Sequence, residues 1–314
     1  MESSSRFIGI CCALLIGGAL CLTMPIKTSH TSSYASLLQV VDPSIPDVSG
    51  MNSPLEPPRI TAEAAVIYDP LQNEFLYQKN AQKPLGIASI SKIMTAIVAL
   101  ERVGENDIVE IHASAIKTEG DEGALSDGEH FTLQNLIALM LATSSNDAAV
   151  AIAEHVGSLY GASSFEESQQ MFVRFMNETA QKIGLENTHF KNPTGLDIDE
   201  EAGIVSNTST AEETARLLGY ALRYPTIYMM RQTPSILVSE EGREHPVSFT
   251  HALITNEAGV ISGKTGFTDT AGGALATVTE IPVGKLSIVV VLNSTRTDRF
   301  DDTLRLLDWL RLPR

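Results

Sequence analysis

Ala88-Ser89-Ile90-Ser91-Lys92-Ile93-Met94-Thr95-Ala96-Ile97-Val98-Ala99-Leu100 is the stretch from which the rest of the chain is read. Ile93, Ile97 and Leu100 recur at helical spacing, so residues 91–103 are expected to form a helix. Ser89 and Lys92 lie about one turn apart and share a face. A serine hydroxyl is a poor nucleophile until a base takes its proton. At a helix start the positive end of the peptide dipole favours a developing alkoxide. The same field, added to burial, disfavours an ammonium and turns Lys92 toward a neutral base. The plainer reading makes Ser89 an N-cap, with Ser91 and Lys92 as solvated helix residues.

Upstream, apolar runs at 64–68 and 75–78 flank Asp69-Pro70-Leu71-Gln72-Asn73 and read as a hairpin. Downstream, residues 133–141, 148–156, 165–183 (ending at Gly184) and 210–222 read as helices. The texture then changes. Residues 235–238, 260–266, 274–279 and 286–292 look like strands, and a last helix over 299–312 stops at Pro313. Strands at both ends with a helical block between them predict an α+β fold, not alternating βαβ units.

Two further short strings carry chemistry. Ser144-Ser145-Asn146 falls between two expected helices, where a hydroxyl and an amide can reach into a cleft. Its plainer reading is a helix N-cap ahead of Asn146-Asp147. Lys264-Thr265-Gly266 falls on an expected strand. Lys264 offers positive charge and Thr265 a hydroxyl. Gly266 permits close approach to the backbone, and the N–H of Phe267 can face an oxyanion. The plainer reading is an ordinary edge-strand lysine. A Ser-x-x-Lys string is expected about once by chance in a chain of this length, and a second copy does occur at Ser114-Ala115-Ile116-Lys117. That copy follows a strand-like run at 108–111 and lies close before Ser144, so Ser89 is preferred. The signal lies in order, spacing and setting.

Taken in order, these strings resemble the serine penicillin-binding enzymes and the related β-lactamases. The neighbourhoods Ala88-Ser89-Ile90-Ser91-Lys92-Ile93-Met94-Thr95, Ser144-Ser145-Asn146-Asp147-Ala148 and Gly263-Lys264-Thr265-Gly266-Phe267-Thr268 closely resemble the low-molecular-weight D-alanyl-D-alanine carboxypeptidases. So do Asn187-Thr188-His189-Phe190, Asn192-Pro193-Thr194-Gly195-Leu196 and Ala271-Gly272-Gly273. The resemblance runs from about residue 60 to the C-terminus. It implies a β-lactamase/transpeptidase-like α+β fold: an antiparallel sheet flanked by helices, with an inserted all-helical subdomain.

The resemblance also implies a substrate and roles. The substrate is a peptidoglycan stem peptide ending in D-Ala-D-Ala. Ser89 attacks the penultimate carbonyl, Lys92 is the acylation base, and Ser144 relays a proton to the leaving amine. Asn146 positions Lys92 and the substrate amide. Lys264 holds the Ser144 proton network, and Thr265 helps bind the terminal carboxylate. The N–H groups of Ser89 and Phe267, the latter beside Gly266, form the oxyanion hole. An arginine ahead of the last helix assists the carboxylate; Arg299 is the better match and Arg296 the alternative. β-Lactams are expected to acylate Ser89, and no cofactor or metal is implied. Two departures stand out. Ser145 replaces a common glycine, and the chain ends close behind the last catalytic-domain helix, so no C-terminal β-domain is expected.

Composition sets the compartment. Acidic residues number 38 against 22 Lys plus Arg, a formal charge of −16, which argues against a nucleic-acid partner. The three cysteines, Cys11, Cys12 and Cys21, all lie near the start. The body therefore has no thiol for a disulfide framework, a Cys-based zinc site or a nucleophile. Residues 7–24 carry no charge and are about long enough to cross a bilayer. Residues 1–24 are read as a signal peptide or an N-terminal membrane anchor, residues 25–60 as a linker and 61–314 as the catalytic domain. Either fate of the first segment puts the rest outside the cytoplasm. The last helix lacks a basic face and is expected to pack on the core, not on lipid. His155 and His189 read as structural. Two rival functions are a class A-like β-lactamase and a catalytically silent cell-wall-binding protein. The first wants a Glu-x-x-Leu-Asn string that is absent here; the second sits poorly with intact Ser89, Lys92, Ser144 and Lys264.

Overall fold

In the computed structural model, residues 56–117, 124–197 and 202–312 are described. Residues 1–24, expected to be a signal peptide or anchor, and nearly all of the expected linker 25–60 lie outside the described residues. Strand β1 (Ala64–Asp69) turns back into β2 (Glu74–Lys79) through Asp69, whose carboxylate accepts from the N–H groups of Leu71 and Gln72 at 2.9 Å. Near the other end, β3 (Val260–Thr268), β4 (Gly272–Glu280) and β5 (Leu286–Ser294) form an antiparallel meander. β5 then pairs antiparallel with β1, placing Val66 opposite Val290. The order is β2-β1-β5-β4-β3, so the motif strand β3 lies at one edge. The expected strand near 235 forms (Ile236–Val238), but it pairs with Glu244–Pro246 in a separate ribbon and takes no part in the main sheet.

The inserted block contains α1 (Lys92–Arg102), α2 (Leu133–Thr143), α3 (Asn146–Leu159) and α4 (Phe165–Lys182), followed by α5 (Ala211–Ala221). Local chemistry sets their starts. Thr132, Ser145, Ser164 and Thr210 each accept an orphan N–H from the first turn of the helix that follows. Ile93, Met94, Ile97 and Val98 of α1 are fully or almost fully buried. Each such side chain contributes roughly 1.5–3 kcal/mol of hydrophobic free energy. The α helix begins at Lys92; Ala88–Ser91 is a 3₁₀ turn, because Ala88 stands at φ 45° where an α-helix cannot continue.

Helices cover both faces of the sheet. Tyr68 and Ile288 are register partners, and Gly219 of α5 abuts both. On the opposite face, Tyr77 pairs with Ile67 and meets Trp309 edge-on at 5.9 Å, placing α6 (Asp298–Arg311) there. Buried Asp302 of α6 accepts from the N–H groups of Thr61 and Ala62 and from the hydroxyls of Thr61 and Ser294. Leu306, Leu307 and Leu310 are buried, so the last helix packs on the core as its composition implied. Among the described residues no helix is long and apolar enough to cross a membrane.

Candidate active site

Three elements converge on one cleft. The 3₁₀ turn presents Ser89, the α2–α3 junction presents Ser144 and Asn146, and edge strand β3 presents Thr265, Gly266 and Phe267. The cleft measures about 280 Å³ and is also lined by Thr250, Arg296 and Arg299. Two lysines are buried beside it. Lys92 Nζ donates to Ser89 Oγ at 3.0 Å, to Asn146 Oδ1 at 2.7 Å and to the Thr194 carbonyl at 2.8 Å. Lys264 Nζ donates to Ser144 Oγ at 2.8 Å and to the Thr265 carbonyl at 2.9 Å. Each serine thus faces its own lysine. Both lysines are fully buried while both serines keep some exposure toward the cleft.

Backbone geometry explains the aim of each hydroxyl. Ser144 closes α2 at φ 67°, a left-handed kink that ends the helix and turns its side chain out of the helical path. Ser145 next to it is fully buried and caps α3 through Ala148 N–H at 3.1 Å. The N-cap reading is therefore true of Ser145 and not of Ser144. For Ser89 and Lys92 the plain reading fails: Ser89 accepts from Lys92, and neither Ser91 nor Lys92 is solvated.

Two glycines permit the close packing. A Cβ on Gly266 would stand 2.7 Å from the Ile87 carbonyl and 3.2 Å from Ser89 N, so β3 can press against the turn that holds Ser89 only without a side chain there. Gly195 is tighter, with φ 85° and a Cβ position 2.0 Å from the Ala88 carbonyl. Its loop is pinned by Thr95 Oγ1 donating to the Pro193 carbonyl at 2.7 Å and by Asn192 Oδ1 accepting from Gly195 N–H at 2.7 Å.

Arg299 and Arg296 both reach the cleft, with different duties. Arg299 Nη1 donates to the Gly266 carbonyl at 2.6 Å. Burial, helped by the charge of Arg296, pulls its guanidinium down to about 10. Arg296 lies over the Phe267 ring at 5.1 Å. His251 is buried within the fields of Lys264 and Arg299. Burial first, then those two charges, push its imidazole down to about 3, and its Nε2 meets Thr277 Oγ1 at 2.9 Å.

All nine residues expected at the site meet here. The second Ser-x-x-Lys does not: Ser114 Oγ donates to both Glu154 carboxylate oxygens, at 3.0 and 2.9 Å. Two further participants were not among the expected site residues, although Thr194 lies in one of the family-like neighbourhoods. Thr194 contributes a backbone carbonyl, which any residue would supply. Thr250 meets Thr265 Oγ1 at 2.8 Å from an otherwise plain stretch. Among the described residues, no group of three or more His, Cys, Asp or Glu side chains converges to hold a metal ion.

A D-alanyl-D-alanine carboxypeptidase family profile matches residues 51–296. The chain belongs to that family. It is a serine peptidase of this family, a hydrolase, with the α+β penicillin-binding fold. A D-alanyl-D-alanine endopeptidase of Pseudomonas aeruginosa is 29% identical over 282 residues, 88% of this chain and 84% of the relative. A D-alanyl-D-alanine carboxypeptidase of Bacillus subtilis is 30% identical over 79% of this chain, which spans 61% of that longer protein. Among solved structures, a mutant Streptomyces K15 DD-transpeptidase superposes with a TM-score of 0.72 at 25% identity, covering 81% of this chain and 99% of that one. Penicillin-binding protein D2 of Listeria monocytogenes, solved in its cefotaxime-bound form, gives 0.66 at 27% identity, covering 80% of this chain and 98% of that one.

Proposed function

We propose that this family member, within a catalytic domain spanning 61–314, removes the terminal D-alanine from peptidoglycan stem peptides through an acyl-enzyme on Ser89. The observation that carries the reading is the buried Lys92 ammonium nitrogen 3.0 Å from Ser89 Oγ, oriented by Asn146 and Thr194. Lys92, once neutral, takes the Ser89 proton as Oγ adds to the penultimate carbonyl. The oxyanion is met by the N–H groups of Ser89 and Phe267. Ser144, held by Lys264, passes a proton to the leaving amine of D-alanine as the C–N bond breaks. Thr265 and Arg299 hold the terminal carboxylate. Water then adds to the ester and returns the proton to Ser89 through Lys92.

A β-lactam carries a reactive amide and a carboxylate in the same relation, so it acylates Ser89 and stays; the cefotaxime-bound Listeria relative supports this. Exported action through residues 7–24, on the outer side of the membrane or in the cell wall, completes the reading. Release of D-alanine from a D-Ala-D-Ala peptide by the purified protein tests it, and no release from any such peptide sinks it. A penicillin adduct that persists for many minutes argues against the β-lactamase alternative. Full in vivo function of Ser89→Ala would favour a silent binding role.

A second reading has its own support. Two relatives matched over most of their own length, 84% and 78%, are D-alanyl-D-alanine endopeptidases. On that reading the same acyl-enzyme forms when a peptide cross-link is cut, with the second stem peptide as the leaving amine. Cross-linked and linear muropeptides offered together would rank the two activities.

A further inference from the structure

A groove of about 500 Å³ runs beside the catalytic cleft, between α3, α4 and the loop at 192–196. Leu196 lines both spaces, so the groove continues the cleft. The helices line it with Val150 and Val173 and the loop with Pro193 and Leu196, and Arg174 and Lys191 are its cations. Both cations are exposed, and among the described residues neither side chain has an ion pair or hydrogen bond. No described acidic side chain lines this groove, although the chain has 38 acidic residues and a charge of −16. Further along, past Val173 and Arg174, the next hollow is lined by Glu178 and Glu186, so the positive stretch is bounded. An acidic protein repels an anionic peptide at long range; local cations must provide the path. The path starts with Arg296 and Arg299 in the cleft and continues with Lys191 and Arg174.

We propose that this groove is a second substrate subsite, which takes the carboxylate-bearing peptide arm extending beyond the D-Ala-D-Ala end. The proposal rests on the peptidase reading above and deepens it. The catalytic cleft, at about 280 Å³, takes the short D-Ala-D-Ala end. The groove adds apolar walls for the peptide's aliphatic parts and two cations for its carboxylates. Its inner wall is also catalytic scaffolding, since Thr194 accepts from Lys92 and Gly195 lies against the Ala88 carbonyl. Arg174 and Lys191 are binding residues on this account.

The test uses the full chain and two peptides ending in D-Ala-D-Ala: a short N-acetylated one, and one extended by a segment containing glutamates. Arg174→Glu with Lys191→Glu should lower kcat/KM about tenfold for the extended peptide, through KM, while leaving the short peptide within about twofold. High salt should narrow that gap. In a Ser89→Ala background, the dissociation constant of the labelled extended peptide should rise by a similar factor on charge reversal. Arg174→Gln with Lys191→Gln guards against a folding defect and should give a smaller change of the same sign. Equal losses on both peptides, or no change in binding, overturn the subsite. Absence of D-alanine release from the unmutated protein would overturn the peptidase reading instead, and the Ser89→Ala binding comparison would still decide the groove.

Discussion

The chain contains the same Ser-x-x-Lys spacing twice, at Ser89–Lys92 and at Ser114–Lys117, and the two serines have opposite surroundings. Ser89 accepts a hydrogen bond from a buried lysine and faces a cleft. Ser114 donates to the Glu154 carboxylate and tethers the turn Ala115–Lys117 to α3. The lesson is about what a nucleophile needs. Spacing puts two side chains on one face, but the proposed chemistry needs the hydroxyl to accept from its lysine, as Ser89 does from Lys92. The rest of the fold supplies that environment: the Asn146 amide, the Thr194 carbonyl and a glycine-lined strand pressed against the turn.

The largest expected effect tests that contrast. Lys92→Ala should lower kcat for D-alanine release by about 10³ or more, whereas Ser114→Ala should leave it unchanged; steady-state kinetics on a D-Ala-D-Ala peptide reads both. Next comes the packing around Ser89. Gly195→Ala combines a positive φ with a Cβ 2.0 Å from a carbonyl oxygen. It should cost about 3 kcal/mol or more in urea unfolding and abolish penicillin acylation, while Gly128→Ala, with open space around it, should lose only about 1–2 kcal/mol to strain.

The third effect is acid sensitivity. His251 stays neutral in the native state down to about pH 3, while an unfolded histidine protonates near 6.5. The unfolded state therefore binds more protons between these values, and stability falls as pH drops through that window. By pH 4.5 the loss attributable to His251 should reach about 2–3 kcal/mol, and His251→Gln should flatten the slope. The smallest effect separates the two neighbouring serines. Ser145→Ala should cost about 1 kcal/mol of stability as a lost cap, with Ser89 still acylated; Ser144→Ala should spare stability and slow turnover.

Much of the fold was legible because local rules agree. The hairpin at 64–79, the helical block and the three-strand meander follow from periodicity and turn chemistry. The order of the sheet was not legible: the pairing of β1 with β5 joins residues more than two hundred positions apart, and no local pattern encodes it. At the site, side-chain types announced Ser89, Lys92, Ser144 and Lys264. They could not tell which of Ser144 and Ser145 caps α3, since both are small polar residues at one helix junction and only the backbone kink decides. The family-like string at 192–196 marked the Thr194 loop, but not that its carbonyl accepts from Lys92, because a carbonyl leaves no mark in the residue code. Arg299 and Arg296 were close in sequence and are close in space; Arg299 Nη1 holds the Gly266 carbonyl while Arg296 covers Phe267.

The most direct test of the central claim is peptide mapping by mass spectrometry after brief exposure of the purified protein to benzylpenicillin. The account predicts one penicilloyl adduct, on the peptide containing Ser89, absent in Ser89→Ala and unchanged in Ser114→Ala. An adduct on Ser114 or Ser144, or an unmodified protein that still releases D-alanine, would contradict it.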